Sequence, residues 1–500
     1  MGEKTQSTLE ELITTRREKL EDLKALGLEP YAYSFEVTHH AEDILKHYDE
    51  YAETVDVSLA GRLMAIRRMG KASFAHIQDS TAKIQIYVKV DNIGEQYYEA
   101  FKLLDIGDWI GVKGKVMKTR TGEITIFTEE LQVLAKGIRP IPIVKEKDDE
   151  VFDAFSDKEQ RYRQRYLDLI VNPEVKQVFE TRSDIIKYIR RFMDDLGFIE
   201  VETPVLQPIY GGASARPFVT HHHTLDTTLY LRIADELYLK RLIIGGFEKV
   251  YEIAKDFRNE GMDRNHNPEF TMLEWYQAFV DYQYEMQMVE DLVSQVAEQL
   301  GKTEIQYGEY TIDLSPPFAR KKMFDLFEEY LEQDIREYDR DQLFNLASHK
   351  KVDVDEDMNY GKILDKLFGD IVEPHLIQPT FVMDHPRAVS PLAKVKRDGN
   401  DRLVERFELV IAGMEVANAF SELNDPIDQR LRLEDQTRLR SEGDDEAQVI
   451  DEDFLTAMEL GMPPTGGVGI GVDRLVMLLT NQHSIKDVIL FPQMRPRSSE

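Results

Sequence analysis

The sequence predicts an α+β protein in which a small β-barrel precedes a larger domain of mixed helices and strands. Its 500 residues are enough to bury more than one hydrophobic core. Apolar residues recur with a period of two up to about residue 135, whereas helical and strand periods alternate farther along the chain. We therefore divide the chain into an N-terminal helical segment (1–55), a barrel (56–140), a linker (141–155) and a large domain (156–500).

The composition argues against several classes of protein. The chain has no cysteine, which excludes disulfides, thiolate metal sites and cysteine nucleophiles. No apolar run approaches the roughly 20 residues that span a bilayer. The N-terminus also lacks the apolar core of a secretion signal. We therefore expect a cytoplasmic enzyme.

Charge is distributed unevenly along the chain. The formal net charge of −31 argues, taken alone, against a nucleic-acid partner. Between 57 and 140, however, 13 lysines and arginines stand beside only 9 acidic residues. Charge acts locally, because the Debye length is roughly 8–10 Å. The barrel is therefore the segment predicted to contact phosphates.

Two helices are predicted ahead of the barrel. In the first, 7–26, Ser7 and Glu10 form a capping box, leucines repeat at helical spacing, and Gly27 suits the C-terminal cap. The second covers roughly 40–52. Both are expected to pack against a neighbouring domain.

The barrel itself is predicted from five short strands. They are assigned to 57–66, 71–78, 82–90, 108–117 and 123–134. The longer connection between the third and fourth strands contains a helix-like piece. This arrangement is typical of an OB-fold.

One outer face of the barrel has the composition of a nucleic-acid surface. In the third strand Ile84, Ile86 and Val88 share the inner face, which leaves Gln85 and Tyr87 outside with two lysines. The second strand adds an aromatic ring, Phe74, and His76 to the outer face. Rings for stacking and polar groups for base edges are what single-stranded nucleic acid needs. An ordinary solvated sheet face is the alternative.

A polar hairpin is predicted at 247–276. Strand alternation would place Arg258 and Glu260 on one face of the outgoing strand. On the returning strand, one face carries Phe270, Met272, Glu274 and Tyr276. A surface Arg258–Glu260 pair, worth roughly 0–1 kcal/mol, would not explain why two rings join the same polar face. We therefore favour a functional cleft here.

A glycine-rich segment, GGVGIGVDRL, lies near the C-terminus at 466–475. Its small residues allow a ligand to approach the backbone, and an apolar helix is predicted to start at Asp473 or Arg474. A helix N-terminus with an arginine suits a polyphosphate. A tight packing turn is the alternative.

Acidic residues interrupt an apolar pair of strands between these two segments. They are Glu408, Glu415 and Glu422, accompanied by Asn418. Buried carboxylates are costly unless they are paired or bound to a metal. Mg²⁺ together with phosphate oxygens would supply that compensation.

These segments carry a family resemblance. DIIKYIRRFMDDLGFIEVETPVL, FRNEG…HNPEFTMLEWY and GGVGIGVDRL resemble the three motifs of class II aminoacyl-tRNA synthetases, and no HIGH or KMSKS signature of class I is present. With the barrel in front, the chain resembles subclass IIb, the enzymes for lysine, aspartate and asparagine. The runs GGASARPFVTHHH, YLRIADELYLKRL and EVANAFSELNDP resemble the lysine-specific bacterial members, although HHH stands where the family often has HHN.

The resemblance implies a fold, substrates and partners. The large domain would be a class II catalytic domain, built on a mostly antiparallel sheet flanked by helices. The substrates would be ATP, L-lysine and tRNA(Lys), with several Mg²⁺ ions as cofactors. A homodimer would form through motif one, which is consistent with the apolar stripe Ile185, Ile189, Phe192 and Leu196. No role is derived for a charged helical insertion near 320–380.

The resemblance also implies residue roles at the matching positions. Arg258 would bridge the lysine carboxylate and the ATP α-phosphate, and Arg474 would hold the γ-phosphate. The other ATP-binding positions are Glu260, His266, Asn267 and Phe270, with Glu408 and Glu415 as Mg²⁺ ligands. The lysine-binding positions are Gly212, Glu236, Arg258, Glu274, Tyr276, Asn418 and Glu422. The anticodon-binding positions are Arg67, Phe74, Gln85 and Glu123.

Three other functions compete with this interpretation. An aspartyl- or asparaginyl-tRNA synthetase would be similar overall, but an aspartate pocket would need a cation where this chain has Glu422 and Glu274. A paralogue that attaches lysine to a protein would lack the barrel. A catalytically inactive RNA-binding protein would not need the arginines and glutamates of the three motifs.

Overall fold

The computed structural model describes residues 2–52, 55–142, 145–147, 150–152, 155–441 and 446–497. The chain divides into two compact units, Met1–Phe155 and Ser156–Glu500. The Ser7 side chain, predicted to cap the first helix, lies outside the described side chains. In the described ranges no helix is both long enough and apolar enough to cross a membrane.

The first unit consists of helices followed by a closed barrel. The helices are α1 (Gly2–Ala25), α2 (Ala41–Lys46), α3 (Tyr48–Tyr51), α4 (Val90–Ile93) and α5 (Glu95–Leu103). The barrel strands are β1 (Asp56–Met69), β2 (Ala72–Gln78), β3 (Lys83–Lys89), β4 (Trp109–Lys118) and β5 (Ile124–Ala135). A small hairpin follows, formed by β6 (Lys145–Lys147) and β7 (Glu150–Phe152).

The strands close in the order β1-β2-β3-β5-β4, which confirms the predicted five-stranded barrel. The inner residues of β3, Ile84, Ile86 and Val88, are buried as the alternation predicts. Gly114 lies at a bulge between β4 and β5, where a Cβ atom would be 1.9 Å from the Phe127 carbonyl oxygen. Closure of the barrel therefore depends on a residue without a side chain at this point.

The second unit contains the other helices and strands. The helices are α6 (Lys158–Arg163), α7 (Arg165–Val171), α8 (Pro173–Asp195), α9 (Glu236–Ile244), α10 (Tyr282–Gln299), α11 (Met323–Leu331), α12 (Arg340–Lys350), α13 (Tyr360–Leu367), α14 (Pro426–Ser441), α15 (Glu452–Glu459), α16 (Val472–Leu479) and α17 (Ile485–Val488). The strands are β8 (Ile199–Glu200), β9 (Leu206–Gln207), β10 (Val219–His222), β11 (Thr227–Leu231), β12 (Lys249–Phe257), β13 (Glu269–Ala278), β14 (Glu304–Tyr307), β15 (Tyr310–Asp313), β16 (Ala319–Lys322), β17 (Thr380–Met383), β18 (Arg406–Ile411), β19 (Met414–Ser421) and β20 (Thr465–Gly471).

An eight-stranded sheet forms the centre of this unit. Its order is β16-β17-β18-β19-β20-β13-β12-β8. The pairs β16–β17 and β12–β8 are parallel and the other five pairs are antiparallel, as the resemblance implies. Helices α8, α10 and α16 contribute to one hydrophobic core with these strands. The sheet therefore buries one face and leaves strand side chains free to line a cleft.

Part of the predicted dimer stripe is wrong. Ile185 and Ile189 on α8 are fully buried in the core of their own chain, because this face of the helix packs beside α10. Phe192 is half-buried against the same core, whereas Leu196 is 39% exposed. A helical apolar stripe has the same periodicity whether it covers an internal core or a partner.

The predicted insertion near 320–380 has a small core of its own. Helices α11, α12 and α13 pack together there, followed by a π-helical turn, Phe368–Val372, and a 3₁₀ turn, Glu373–His375. Strands β16 and β17 flank these helices in sequence and are both part of the central sheet. The helical part thus starts and ends at neighbouring strands.

Candidate active site

A cleft of about 550 Å³ lies against the central sheet. Its lining includes every residue predicted to bind ATP, namely Arg258, Glu260, His266, Asn267, Phe270, Glu408, Glu415 and Arg474. It also includes all the predicted lysine-binding residues except Glu422, namely Gly212, Glu236, Arg258, Glu274, Tyr276 and Asn418. Segments far apart in sequence therefore meet around one cavity.

The hairpin β12–β13 supplies a guanidinium above an aromatic ring. The Arg258 Cζ atom lies 5.1 Å from the centroid of the Phe270 ring, within the range of a cation–π contact. Strand β12 ends at Phe257, so the prediction that Arg258 and Glu260 belong to the strand is wrong. Their positions are set by the chain after the strand, where the Arg258 N–H donates to the Pro268 carbonyl oxygen at 2.9 Å. Glu260 is exposed at the mouth of the cleft.

The glycine-rich segment is a strand rather than a tight turn. Residues 465–471 form β20, and α16 begins at Val472. A Cβ atom on Gly467 would lie 2.0 Å from Glu422 Oε1 and 2.5 Å from Tyr276 Cε1. The glycine therefore allows these two side chains to pack directly against the backbone of β20.

Arg474, in the first turn of α16, contacts two other elements of the cleft. Its Nη1 atom donates to the Glu415 carbonyl oxygen at 2.6 Å, and Nη2 lies 3.2 Å from His266 Nε2. The His266 Nδ1 atom faces Asp263 at 2.9 Å. An arginine can only donate, so this pairing needs the lone pair on Nε2 and places the imidazole proton on Nδ1, toward Asp263.

Asp473 connects three elements below the cleft. One carboxylate oxygen accepts from Arg182 on α8 at 2.5 Å, and the other accepts from the backbone N–H of Thr271 on β13 at 2.7 Å. Arg182 also donates to the Thr271 hydroxyl at 2.9 Å. One buried carboxylate in the third synthetase-like motif is therefore bonded to the second motif and to the helix that carries the first.

The predicted metal-binding glutamates lie on adjacent strands. Glu408 is opposite Asn418 in the β18–β19 ladder, and Glu415 lies beyond a register shift. Arg406, which the sequence did not single out, donates to Glu408 at 2.5 Å and to Asn418 at 3.0 Å. Burial and the like charge of Glu408 raise the pKa of Glu415.

Two further carboxyl groups line the cleft near this pair, and sequence reasoning missed both. Burial, with the charges of Glu408 and Glu415, raises the pKa of Glu373 to about 7 and that of Asp365 to about 7. Glu373 also accepts the Glu415 backbone N–H at 3.1 Å. Hard oxygen ligands that repel one another in a cleft fit a divalent cation such as Mg²⁺.

A buried lysine lies among the predicted lysine-binding carboxylates. The Lys240 ammonium is 2.5 Å from Glu236 and also contacts Glu422. Lys240 and the Glu422 side chain are fully buried. Sequence reasoning missed this contact, although the i,i+4 spacing of Glu236 and Lys240 on one helix is a detectable signal. Glu274 accepts the Tyr276 hydroxyl at 3.5 Å nearby.

The outer face of the barrel has the predicted aromatic and polar character. The ring centroids of Phe74 and Tyr87 are 4.8 Å apart, and those of Tyr87 and Phe127 are 5.0 Å apart. Arg67 is exposed and pairs with Phe74 in the β1–β2 register. The side chains therefore form a row of rings with a cation at its edge.

Glu123 is a hydrogen-bond acceptor for two side chains on this face. The Gln85 amide donates to it at 2.6 Å, and His76 Nε2 lies 2.8 Å away. Gln85 also accepts the Thr125 hydroxyl at 2.7 Å, and these contacts explain why it is only 9% exposed. All four predicted anticodon residues thus lie on strands β1, β2 and β3 or immediately before β5.

Comparison with known proteins identifies both units. Residues 157–495 match the family described as tRNA synthetases class II (D, K and N). Residues 57–140 match the OB-fold nucleic acid binding domain family.

Curated relatives match nearly the whole chain. The lysine–tRNA ligase of Pelotomaculum thermopropionicum is 54% identical over 98% of this chain and 96% of its own length. That of Moorella thermoacetica is 53% identical, covering 97% and 98%. That of Carboxydothermus hydrogenoformans is 54% identical, covering 98% and 99%.

Proposed function

Because this chain belongs to the lysine–tRNA ligase family of class II aminoacyl-tRNA synthetases, we propose that it joins L-lysine to tRNA(Lys) at the cleft of the second unit. The reaction uses ATP and proceeds through an enzyme-bound lysyl-adenylate. The observation that carries this assignment is the convergence of Arg258, Phe270, Glu415 and Arg474 around one cavity. ATP and tRNA are intracellular substrates, so we place the reaction in the cytoplasm.

In the first step an oxygen of the lysine carboxylate attacks the ATP α-phosphorus. A C–O–P bond forms, the bond to the bridging oxygen breaks, and pyrophosphate leaves. The carboxylate is ionised at neutral pH and needs no general base, so positioning and electrostatics supply the rate. Arg258 neutralises charge on the α-phosphate, and Arg474 holds the γ-phosphate end. Phe270 stacks on adenine, and Glu260 meets its amino group.

Mg²⁺ fits the carboxyl groups of the cleft. Glu408 and Glu415 would hold the ions, which when bound would offset phosphate charge. His266 and Asn267 lie on the loop between the hairpin strands and line the cleft. Their role in this proposal is to orient the triphosphate.

In the second step the 3′-hydroxyl of the terminal tRNA ribose attacks the carbonyl carbon of the mixed anhydride. An ester bond forms, AMP leaves, and the hydroxyl proton passes to AMP or to water. The arginines that neutralise phosphate charge in the first step also neutralise charge on the phosphate of the departing AMP.

The lysine pocket has an excess of negative charge. Glu236 and Glu422 both contact Lys240, so a single internal cation faces two carboxylates, and Glu274 lies near enough to Glu236 for their like charges to repel. A substrate ammonium would therefore find an acceptor that Lys240 leaves available. In our proposal Gly212 and Glu236 receive the α-amino group, and Glu422 and Tyr276, with Asn418 and Glu274 nearby, receive the side-chain end.

The direct test of function is amino-acid-dependent ATP–pyrophosphate exchange. We expect exchange with lysine and none above background with aspartate or asparagine. A carboxylate-lined pocket repels the acidic side chain of aspartate. With the neutral side chain of asparagine, the pocket carboxylates would lack a cationic partner. Exchange that depends on aspartate or asparagine, or none with any amino acid, would reject the proposal.

Replacing Glu422 with glutamine should weaken lysine binding selectively. The change removes a charge-assisted hydrogen bond worth about 1.5–3 kcal/mol, so KM for lysine should rise roughly 10- to 150-fold while KM for ATP stays unchanged. Glu459→Gln, at a carboxylate that is 58% exposed, is the matched control. Equal changes in both KM values would show that Glu422 does not bind the lysine substrate.

The barrel is proposed to read the tRNA anticodon through Arg67, Phe74, Gln85 and Glu123. Phe74→Ala should raise KM for tRNA in aminoacylation about 10-fold, because one stacked base is worth roughly 1–3 kcal/mol. Tyr97→Ala, at an exposed ring on α5, should change nothing. Lysine-dependent exchange without tRNA should be normal in both variants. A normal KM for tRNA in Phe74→Ala would place the anticodon elsewhere.

We also propose a homodimer that forms through motif one, but with contact residues different from the stripe predicted from the sequence. With Ile185 and Ile189 inside the core, the apolar residues exposed around the end of α8 and the strands after it would supply the contact. They are Leu196, Ile199, Val205, Leu206 and Ile209. Sedimentation of the purified protein at several concentrations measures the assembly state.

A further inference from the structure

A second group of carboxylates lies beneath the cleft, apart from Glu408 and Glu415. Asp235 is the residue before α9, Asp256 is on β12, and Glu274 is on β13. One carboxylate oxygen from each lies within 4.8 Å of the others. Asp235 and Asp256 are fully buried, and Glu274 is 6% exposed.

The strand register concentrates negative charge at this point. Glu274 is directly opposite Glu252 in the β12–β13 ladder, and alternation puts Asp256 on the same face as Glu252. Like charges directly opposite one another destabilise a sheet. Four acidic side chains therefore share one buried region.

Arg232 offsets only part of this charge. It contacts Glu252 at 2.7 Å, Asp235 at 3.0 Å and Asp256 at 3.4 Å. Although it lies this close, both side-chain oxygens of Asp235 and of Asp256 accept no hydrogen bond from any described residue. Arg232 faces only the Oδ1 atom of each aspartate, and the two Oδ2 atoms have neither a hydrogen bond nor an ion pair with any described residue. Buried polar groups are almost always hydrogen-bonded, so these two oxygens indicate a missing partner.

The missing partner must carry positive charge. Burial first, and then the neighbouring carboxylates, raises the pKa of Asp235 to about 10 and that of Asp256 to about 6. The same causes raise the pKa of Glu274 well above its usual value. Protons or a cation would relieve the repulsion, and direct measurement of ion binding distinguishes between them.

We propose that Asp235, Asp256 and Glu274 bind a hard divalent cation, Mg²⁺, Mn²⁺ or Ca²⁺, at a site distinct from the nucleotide-bound ions. Oxygens on opposite sides of such an ion are roughly 4.2 Å apart for Mg²⁺ and about 4.8 Å apart for Ca²⁺, from their ligand distances. No two of the three oxygens are farther apart than 4.8 Å, so one such ion can contact all of them. Glu274 lines the cleft, which provides the route of entry.

The test is direct binding of Mn²⁺ to nucleotide-free, chelator-stripped protein at pH 8, with free Mn²⁺ measured by electron paramagnetic resonance. Wild type should bind one more ion per chain than Asp256→Asn or Asp235→Asn. Asp226→Asn, at a side chain that is 95% exposed, is the matched control and should bind as wild type does. The double variant Glu408→Gln/Glu415→Gln should keep the extra ion.

Two results would overturn the site. One is equal Mn²⁺ binding by wild type and both buried-aspartate variants. The other is loss of the extra ion in Glu408→Gln/Glu415→Gln alone. If an asparagine variant does not fold, the melting temperature of wild type at pH 8 decides: millimolar Mn²⁺, Mg²⁺ or Ca²⁺ should raise it without nucleotide. No rise with any of the three ions would reject the proposal. None of these readouts depends on lysine activation, so failure here leaves the proposed ligase function intact.

Discussion

Lysine-dependent ATP–pyrophosphate exchange is expected to fall about 10³-fold when Arg258 is replaced by alanine. The guanidinium lies over Phe270 at one wall of the cleft, where in our proposal it meets the α-phosphate and the lysine carboxylate together. No bond to another side chain has to break, because its described contacts are a backbone hydrogen bond, a contact with Ile233 O and the ring. The fold should therefore survive, and circular dichroism and the melting temperature should match wild type.

Two further arginine variants make this result specific. Arg258→Lys keeps the charge but loses the bidentate hydrogen-bonding geometry, so its exchange rate should lie between those of wild type and Arg258→Ala. Arg402→Ala removes an arginine that is 60% exposed and pairs with Glu337, and it should exchange normally. Near-normal exchange by Arg258→Ala would show that another group bridges the two reactants.

Lys240→Met is expected to cost about 3–5 kcal/mol of folding free energy, the largest stability change among our variants. The substitution keeps an unbranched side chain of similar length but removes the ammonium between Glu236 and Glu422. Both carboxylates would then be buried without their counterion. Burial raises the pKa of both groups in the folded protein.

The folding free energy that Lys240→Met loses should depend on pH, and the direction of that dependence can be predicted. A carboxyl group with a raised folded-state pKa binds its proton more tightly in the folded chain than in the unfolded chain. The variant should therefore be most stable below the usual carboxyl pKa of about 4.3. Its stability should fall as the pH rises from there toward the raised pKa values.

Urea unfolding of the second unit between pH 4 and pH 8 measures this difference. The matched control is Lys187→Met, which removes a lysine that is 67% exposed and pairs with Asp184 on α8. Its stability should change by no more than roughly 0.5 kcal/mol at any pH. A Lys240→Met variant as stable as this control at pH 8 would mean that Glu236 and Glu422 hold protons instead of pairing with the lysine.

Local patterns were sufficient to predict much of the molecule. Period-two alternation identified the barrel strands, and the same rule placed Phe270, Glu274 and Tyr276 on one face of β13, where all three line the cleft. The rule failed where the strand itself ended, at Phe257, because alternation says nothing about when pairing stops. Arg258 still reaches the cleft, although through the loop.

Several contacts across long sequence separations were not predicted. Whether Ile185 and Ile189 faced a partner or the interior depended on α10, about a hundred residues later in the chain. The meeting of Lys240 with Glu422, and of Asp235 with Asp256 and Glu274, follows from sheet order and helix placement. A single sequence gives the residue types but not these neighbours.

Asp473 has a consequence for how the cleft recognises its nucleotide. The same carboxylate is bonded to the helix that carries Arg182 and to the strand that carries Phe270, and Arg474 is the next residue along. In our proposal Phe270 and Arg474 bind the two ends of ATP, so hydrogen bonds within the protein fix the spacing between the adenine-binding and triphosphate-binding groups. The protein would therefore need little rearrangement to bind ATP. Shorter or longer nucleotides would match only one end of the cleft.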